Sequence, residues 1–304
     1  MPSALNIRYA ISIIMFPVLS FWICSVRYIR SMRLTLSILF SLCVSSLFAQ
    51  ELNCVASFDA IYARWEKITN MRYHSHKTER QGNETDDAHF DFTIQRKPIK
   101  VAGRMQEKGH WILYDPAKSS NEALYISNGF PYTNLTLDVN GKVFRGMNHY
   151  TISDAGCEFV FEIIRREYER IPENFTCSVV ERDGRKEWLI RAETENFTFV
   201  PYTGKSGETV LDVAHNNSVS AYLILERNEA LSSYTDDCSG VQLMIPSHYG
   251  KIVEIYFDAN HLMPTRIQLF DEKGRFERYD YCDYRFNLDL DEDFFTEDYL
   301  DDLD

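Results

Sequence analysis

Residues 251–286 read KIVEIYFDANHLMPTRIQLFDEKGRFERYDYCDYRF. Val253, Ile255 and Phe257 fall on one side of an alternating pattern, with Ile252 and Tyr256 on the other. After a turn at Asp258-Ala259-Asn260, Thr265, Ile267 and Leu269 alternate with Arg266, Gln268 and Phe270. The run from Asp271 to Gly274 turns the chain again. Tyr279, Tyr281 and Asp283 then alternate with Arg278, Asp280 and Cys282. Strand side chains point to opposite faces with period two, so the pattern predicts three strands in an antiparallel meander, apolar in part on both faces. Each apolar face needs a cover: helices, a second layer or a bound apolar ligand.

The rest of the chain extends this sheet. Asn53 is placed to cap an amphipathic helix over 53–68, with Val55, Phe58, Ile61, Tyr62, Trp65 and Ile68 on one face. Met71 to Arg80 reads as a polar strand with His74 and His76 sharing a face, and Phe90, Phe92 and Ile94 alternate in the next, which Pro98 ends. Further strands are expected around 101–105, 110–115, 123–127 and 135–139. Asn140-Gly141 predicts a two-residue hairpin leading into a strand over 143–147. A helix capped by Ser153 or Asp154 should run to about Arg170, with Phe159, Val160, Ile163, Ile164 and Tyr168 as its stripe. A hairpin about Asp183-Gly184, two short helices over 208–216 and 218–228, a strand over 241–245 and an acidic tail ending in one helical turn complete the pattern. The fold class is α+β: one β-rich domain over 50–304, built on a strongly curved antiparallel sheet.

Two apolar stretches precede that domain, 9–26 and 34–49. Met32-Arg33 followed by LTLSILFSLCVSSLFA has the charged, apolar and small-residue parts of a secretory signal. The expectation is cleavage after Ala49, residues 1–31 lying upstream of a start at Met32, and no stable transmembrane span afterwards. Cleavage removes four Arg and no acid, taking the net charge from −13 to −17. An acidic surface argues against nucleic acid and anionic membranes as partners. Cys54, Cys157, Cys177, Cys238 and Cys282 remain, an odd number at irregular spacings, which favours buried or free thiols over a disulfide.

Several stretches together carry a resemblance: QLMIPSHYGK (242–251), LMPTRIQLFDEKGRFERYDYCDYRFN (262–287), LDLDEDFF (288–295), FTIQRKP (92–98) and ALYISNG (123–129). They resemble a bacterial secreted family of unknown function with a lipoprotein-carrier-like fold of the LolA/LolB type, over most of 51–300. The resemblance implies an unclosed β-barrel with helices plugging its concave face, and an envelope protein whose partners are a lipid or acylated ligand, or another envelope protein.

No catalytic residue, metal site or cofactor is assigned from the sequence. It contains no GxSxG elbow and no HExxH. His74 and His76 lie two apart on one strand face, a spacing at which two imidazoles could take zinc with a nearby carboxylate. Two exposed polar residues on an edge strand also produce that spacing, and the latter is the reading adopted. Asp289, Asp291 and Asp293 begin like a calcium loop, but Phe294 stands where that loop needs Gly. The candidate ligand-lining residues are aromatic: Phe90, Phe92, Trp111, Tyr125, Trp188, Tyr256 and Tyr279. The alternatives are a filled core serving as an interaction module and an unrecognised hydrolase.

Overall fold

The computed structural model describes residues 50–129, 134–145 and 148–301. The proposed signal and upstream segment, 1–49, lie outside these residues. Helix α1 (Cys54–Trp65) starts where Asn53 accepts a hydrogen bond from the Ala56 amide at 3.0 Å. Strands β2 (Asn70–Gln81), β3 (Glu84–Arg96), β4 (Ile99–Met105), β5 (Trp111–Tyr114), β6 (Glu122–Ile126) and β7 (Leu135–Asp138) follow, after a two-residue β1 (Gln50–Glu51). Next come helices α2 (Lys142–Arg145) and α3 (Glu158–Arg170), then strands β8 (Phe175–Arg182), β9 (Arg185–Glu193) and β10 (Phe199–Thr203). Helices α4 (Val210–Asn217) and α5 (Ala221–Arg227) precede β11 (Gln242–Pro246). The meander is β12 (Ile252–Asp258), β13 (Pro264–Asp271) and β14 (Gly274–Phe286), and α6 (Glu297–Asp301) closes the described chain.

Twelve strands form one antiparallel sheet in the order β1-β8-β9-β12-β13-β14-β2-β3-β4-β5-β6-β7. It does not close, because β1 and β7 lie at opposite edges. β14 and β2, from opposite ends of the chain, are neighbours in its middle. Register shifts at Tyr256/Phe257, Leu269/Phe270 and Cys282/Arg285 supply the irregularities that bend strands and raise their twist. Helices α1 and α3 lie on one face. Phe58, Ile61, Trp65, Phe161 and Ile164 share a core with Ile190, Ile255, Ile267 and Leu269. This is an unclosed sheet with helices in its concavity, the architecture that the resemblance implied. Buried Arg96 locks α1 in place: its guanidinium lies 3.8 Å from the Trp65 ring centroid and donates to the Trp65 and Ile68 carbonyls at 2.6 and 2.9 Å.

Other parts of the sequence reading need correction. Val55, placed on the apolar stripe of α1, is exposed. Residues 143–145 form helix α2, not a strand: the Phe144 and Arg145 amides bond back to the Gly141 carbonyl, and Arg145 is tied to Asn140, His149 and Asp154. The segment thereby turns inward and buries Phe144. Residues 146–147 lie outside the described chain. α3 starts at Glu158, not Asp154, because Gly156 takes φ +107°, a conformation that no L side chain continues into a helix. The acidic tail is docked through its apolar residues, with Phe294, Phe295 and Leu300 buried against Ala102, Leu113 and Ile126, while Asp289, Asp291 and Asp293 stay exposed. Cys54 and Cys177 form a disulfide across 123 residues, joining α1 to β8, where free thiols were expected. Cys157 and Cys238 are buried thiols.

Glu167 on α3 is buried beside Arg170. Burial raises its carboxyl from an ordinary 4.5 to about 7, against the pull of Arg170. A group with a raised folded-state pKa favours folding at low pH, and that contribution is lost as the pH rises from 4.5 through about 7. Glu167→Gln should therefore leave stability near pH 4 unchanged and raise it at pH 8 by up to about 3 kcal/mol. Urea midpoints at the two pH values check this; an equal change at both would show that titration of Glu167 is not involved.

Candidate ligand cavity

Between α3 and the sheet lies a cavity of about 160 Å³. Its floor follows from strand alternation. Val253 and Ile255 of β12, Ile267 and Leu269 of β13, Tyr279 and Tyr281 of β14 and Tyr73 and Ser75 of β2 all face it. Cross-strand pairs align these positions: Ile255 opposite Ile267, Ile267 opposite Tyr279, and Tyr281 opposite Ser75, which in turn faces Phe90. Phe159, Val160 and Ile163 of α3 form the roof. They are half-buried, whereas Ile164, which also lines the space, and Phe161, which the stripe omitted, are buried. Gly103 leaves room for the Phe92 ring that forms part of one wall: a Cβ there would sit 2.8 Å from that ring. The space far exceeds the roughly 10–15 Å³ that one water needs, and its size matches a cavity of about 150 Å³ that takes benzene.

The cavity is not uniformly apolar. Lys77, Glu79 and Glu277 border one end and are buried. The Lys77 ammonium donates to Glu79 at 3.0 Å and to Asp86 at 2.6 Å, and also to Asn148. Tyr279 donates to Glu79, and Tyr150 donates to Glu277 at 2.9 Å. His149 stands between two acceptors: Nε2 faces the Arg80 carbonyl at 2.9 Å and Nδ1 faces Glu277 at 2.8 Å. The carbonyl can only accept, so Nε2 carries a proton and a second is held between Nδ1 and Glu277. Burial alone would lower the His149 pKa, but Glu79 and the Glu277 hydrogen bond outweigh it and raise it. Burial raises Glu277 as well, while His149 and Lys77 overcome the same effect at Glu79 and lower it.

A second space, about 330 Å³, shares Tyr150, Asp154, Phe159, Ile163 and Tyr249 with the first. Its other walls include Arg145, Glu162, Arg166 and Ser220, so it is the more polar of the two. The arrangement offers a more apolar chamber under α3, here called the inner one, and a more polar chamber beside it, the outer one, with Ile163 among their shared walls.

Of the seven aromatic residues singled out in the sequence, Phe90, Phe92 and Tyr279 border the inner chamber. The other four do not. Trp111 and Tyr256 adjoin Ile112 and Ile255, which face the chamber, and so point to the opposite face; there they meet Arg104 and Arg182 at 5.6 and 5.2 Å. Tyr125 pairs with Ile112 one strand beyond the wall, against His110. Trp188 pairs with Phe257, past the end of the chamber. The polar group Lys77, Glu79, His149 and Glu277 was missed. One signal was available: if His74 and His76 share a face, Ser75, Lys77 and Glu79 share the other.

No family model matches this sequence, and no curated protein matches it. Among solved structures, the chain is similar to the lipoprotein LppX of Mycobacterium tuberculosis, with 9% identity, 79% of this chain and 100% of that one covered, and a TM-score of 0.36. A putative outer membrane lipoprotein-sorting protein domain from Vibrio parahaemolyticus is 11% identical over 81% of this chain and 97% of that one, with a TM-score of 0.29. A LolA superfamily protein from Nitrosomonas europaea is 9% identical over 79% and 98%, with a TM-score of 0.29. At such identities and scores, the functional reading rests on the cavity itself. Among the described residues, no helix is long and apolar enough to cross a membrane.

Proposed function

We propose that this chain is an exported, non-catalytic binder of an amphipathic ligand, a lipid or an acylated molecule, with its apolar tail in the inner chamber and its polar head in the outer one. One observation carries this reading: an apolar void under α3 adjoins a more polar chamber, the two sharing walls at Tyr150, Ile163 and Tyr249. A filled interaction module would leave no void larger than a water molecule. The two chambers together fall in the range of small-molecule sites, roughly 300–1,000 Å³. The signal-like segment over 32–49 supports export, and sequencing the amino terminus of the protein from its own host would find Gln50 first.

Ile163 lines both chambers, so Ile163→Trp should abolish uptake of a fluorescent fatty acid at a cost in stability under about 1 kcal/mol, because enlarging a side chain beside a void strains little. Val55→Trp, on an exposed position of α1, should leave uptake unchanged. Native mass spectrometry should find a lipid on the wild-type protein from its host. An apo mass with no probe uptake by wild-type protein would overturn the proposal.

A further inference from the structure

The convex face of the sheet carries a histidine cluster that the cavity does not use. β3 brings His89 directly opposite His76, and Asp91 opposite His74. Ligand atoms of His76, Asp87 and His89 all lie within 4.8 Å of one another. The His76 and His89 rings stack at 4.1 Å, and His76 Nε2 is 2.8 Å from Asp87. A chain of contacts orients His89 from behind: Asp91 lies 3.1 Å from His74 Nδ1, and His74 Nε2 lies 3.1 Å from His89 Nδ1. Gln106 donates to Asp91 at 2.9 Å and fixes that carboxylate. If His74 donates through Nδ1 to Asp91, its Nε2 must accept from Nδ1–H of His89. That tautomer leaves a lone pair on Nε2 of His89. This is the carboxylate–histidine relay that supports metal-bound imidazoles, extended by one ring.

We infer that His76, Asp87 and His89 form a binding site for a divalent transition metal of the zinc class, with His74 and Asp91 as positioning residues. Two imidazoles and a carboxylate are a ligand set for such an ion, and solvent can complete a tetrahedron. Ligand atoms around a tetrahedral zinc stand about 3.3 Å apart, so side-chain rotations on two paired strands suffice to close the site. Asp87 is 57% exposed, which gives the ion access from solvent. Calcium and magnesium prefer all-oxygen shells and should not compete. This site is separate from the cavity, so neither proposal depends on the other.

The test is calorimetric titration of zinc chloride into the full chain, without an affinity tag and stripped by a chelator, in excess magnesium. One equivalent should bind. His76→Ala and His89→Ala should each weaken binding at least about tenfold, and Asp91→Asn by a smaller factor that a merely structural Asp91 would not produce. His215→Ala, at an exposed position of α4, should leave zinc binding unchanged. Thermal melts of the metal-free variants should stay close to wild type, since these side chains are half-exposed on the convex face. Should zinc fail to bind, or bind equally well to His76→Ala and His89→Ala, the site is refuted.

Discussion

Lys77→Met should lower the stability of the fold by about 3–5 kcal/mol, as a drop in the urea midpoint at neutral pH. Lys77 is buried in the concave face with Glu79 and Asp86 as its ion partners. Taking two charges out of water costs several kcal/mol each, which their attraction offsets only while both are present. Met keeps the volume and stem of Lys but supplies no charge and no donor. Among the described residues, Glu79, itself buried, then keeps His149 and the Tyr279 hydroxyl. Its carboxyl, held low in the parent, should rise, so Lys77→Met should lose still more stability as the pH increases. Adding Glu79→Gln should recover part of the loss, because the unpaired charge is gone; the double-mutant cycle measures that coupling. A Lys77→Met midpoint within 1 kcal/mol of the parent would mean that water reaches this end of the chamber and solvates the carboxylates.

An effect of similar size should follow from breaking the Cys54–Cys177 disulfide. It closes a loop of 123 residues, for which the chain-entropy treatment gives about 5 kcal/mol, with measured losses of about 2–5 kcal/mol for such removals. The Cys54→Ser/Cys177→Ser protein should melt well below wild type. A reductant should lower the wild-type midpoint to that of the variant and leave the variant unmoved. A wild-type midpoint indifferent to reductant would show that the cross-link adds nothing. An oxidising compartment keeps such a bond, which agrees with the proposed export.

Features that depend on local periodicity were legible. The meander, α1 with its Asn53 cap, and the Asp183-Gly184 turn, where both residues take positive φ, are visible in consecutive residues. So was the stripe of α3, of which Phe159, Val160, Ile163 and Ile164 face the chamber. Long-range pairing was not legible. Nothing near Cys54 marks Cys177 as its partner, and nothing in 199–203 shows that it pairs with β11, away from the main sheet. The polar end of the chamber was hidden for a different reason. Lys77, Glu79 and Glu277 are residue types that usually face water, and they lie inside because each meets partners from other strands or from the loop at Asn148–His149. His89 escaped notice in the same way: His74 and His76 form a pair in sequence, and only the β2–β3 register adds the third ring.

The neighbouring of β2 with β14 sets the order in which a nascent chain can complete itself. β2 ends at Gln81 and its partner begins at Gly274. Until that last strand leaves the ribosome, the β2–β7 portion keeps one long unpaired edge at β2, and the β8–β13 portion keeps another at β13. Such edges recruit strands from other chains, and pairings this distant in sequence form slowly. The final strand acts as a keystone. A chain truncated before residue 274 should yield two adhesive half-sheets that aggregate, not a smaller folded protein.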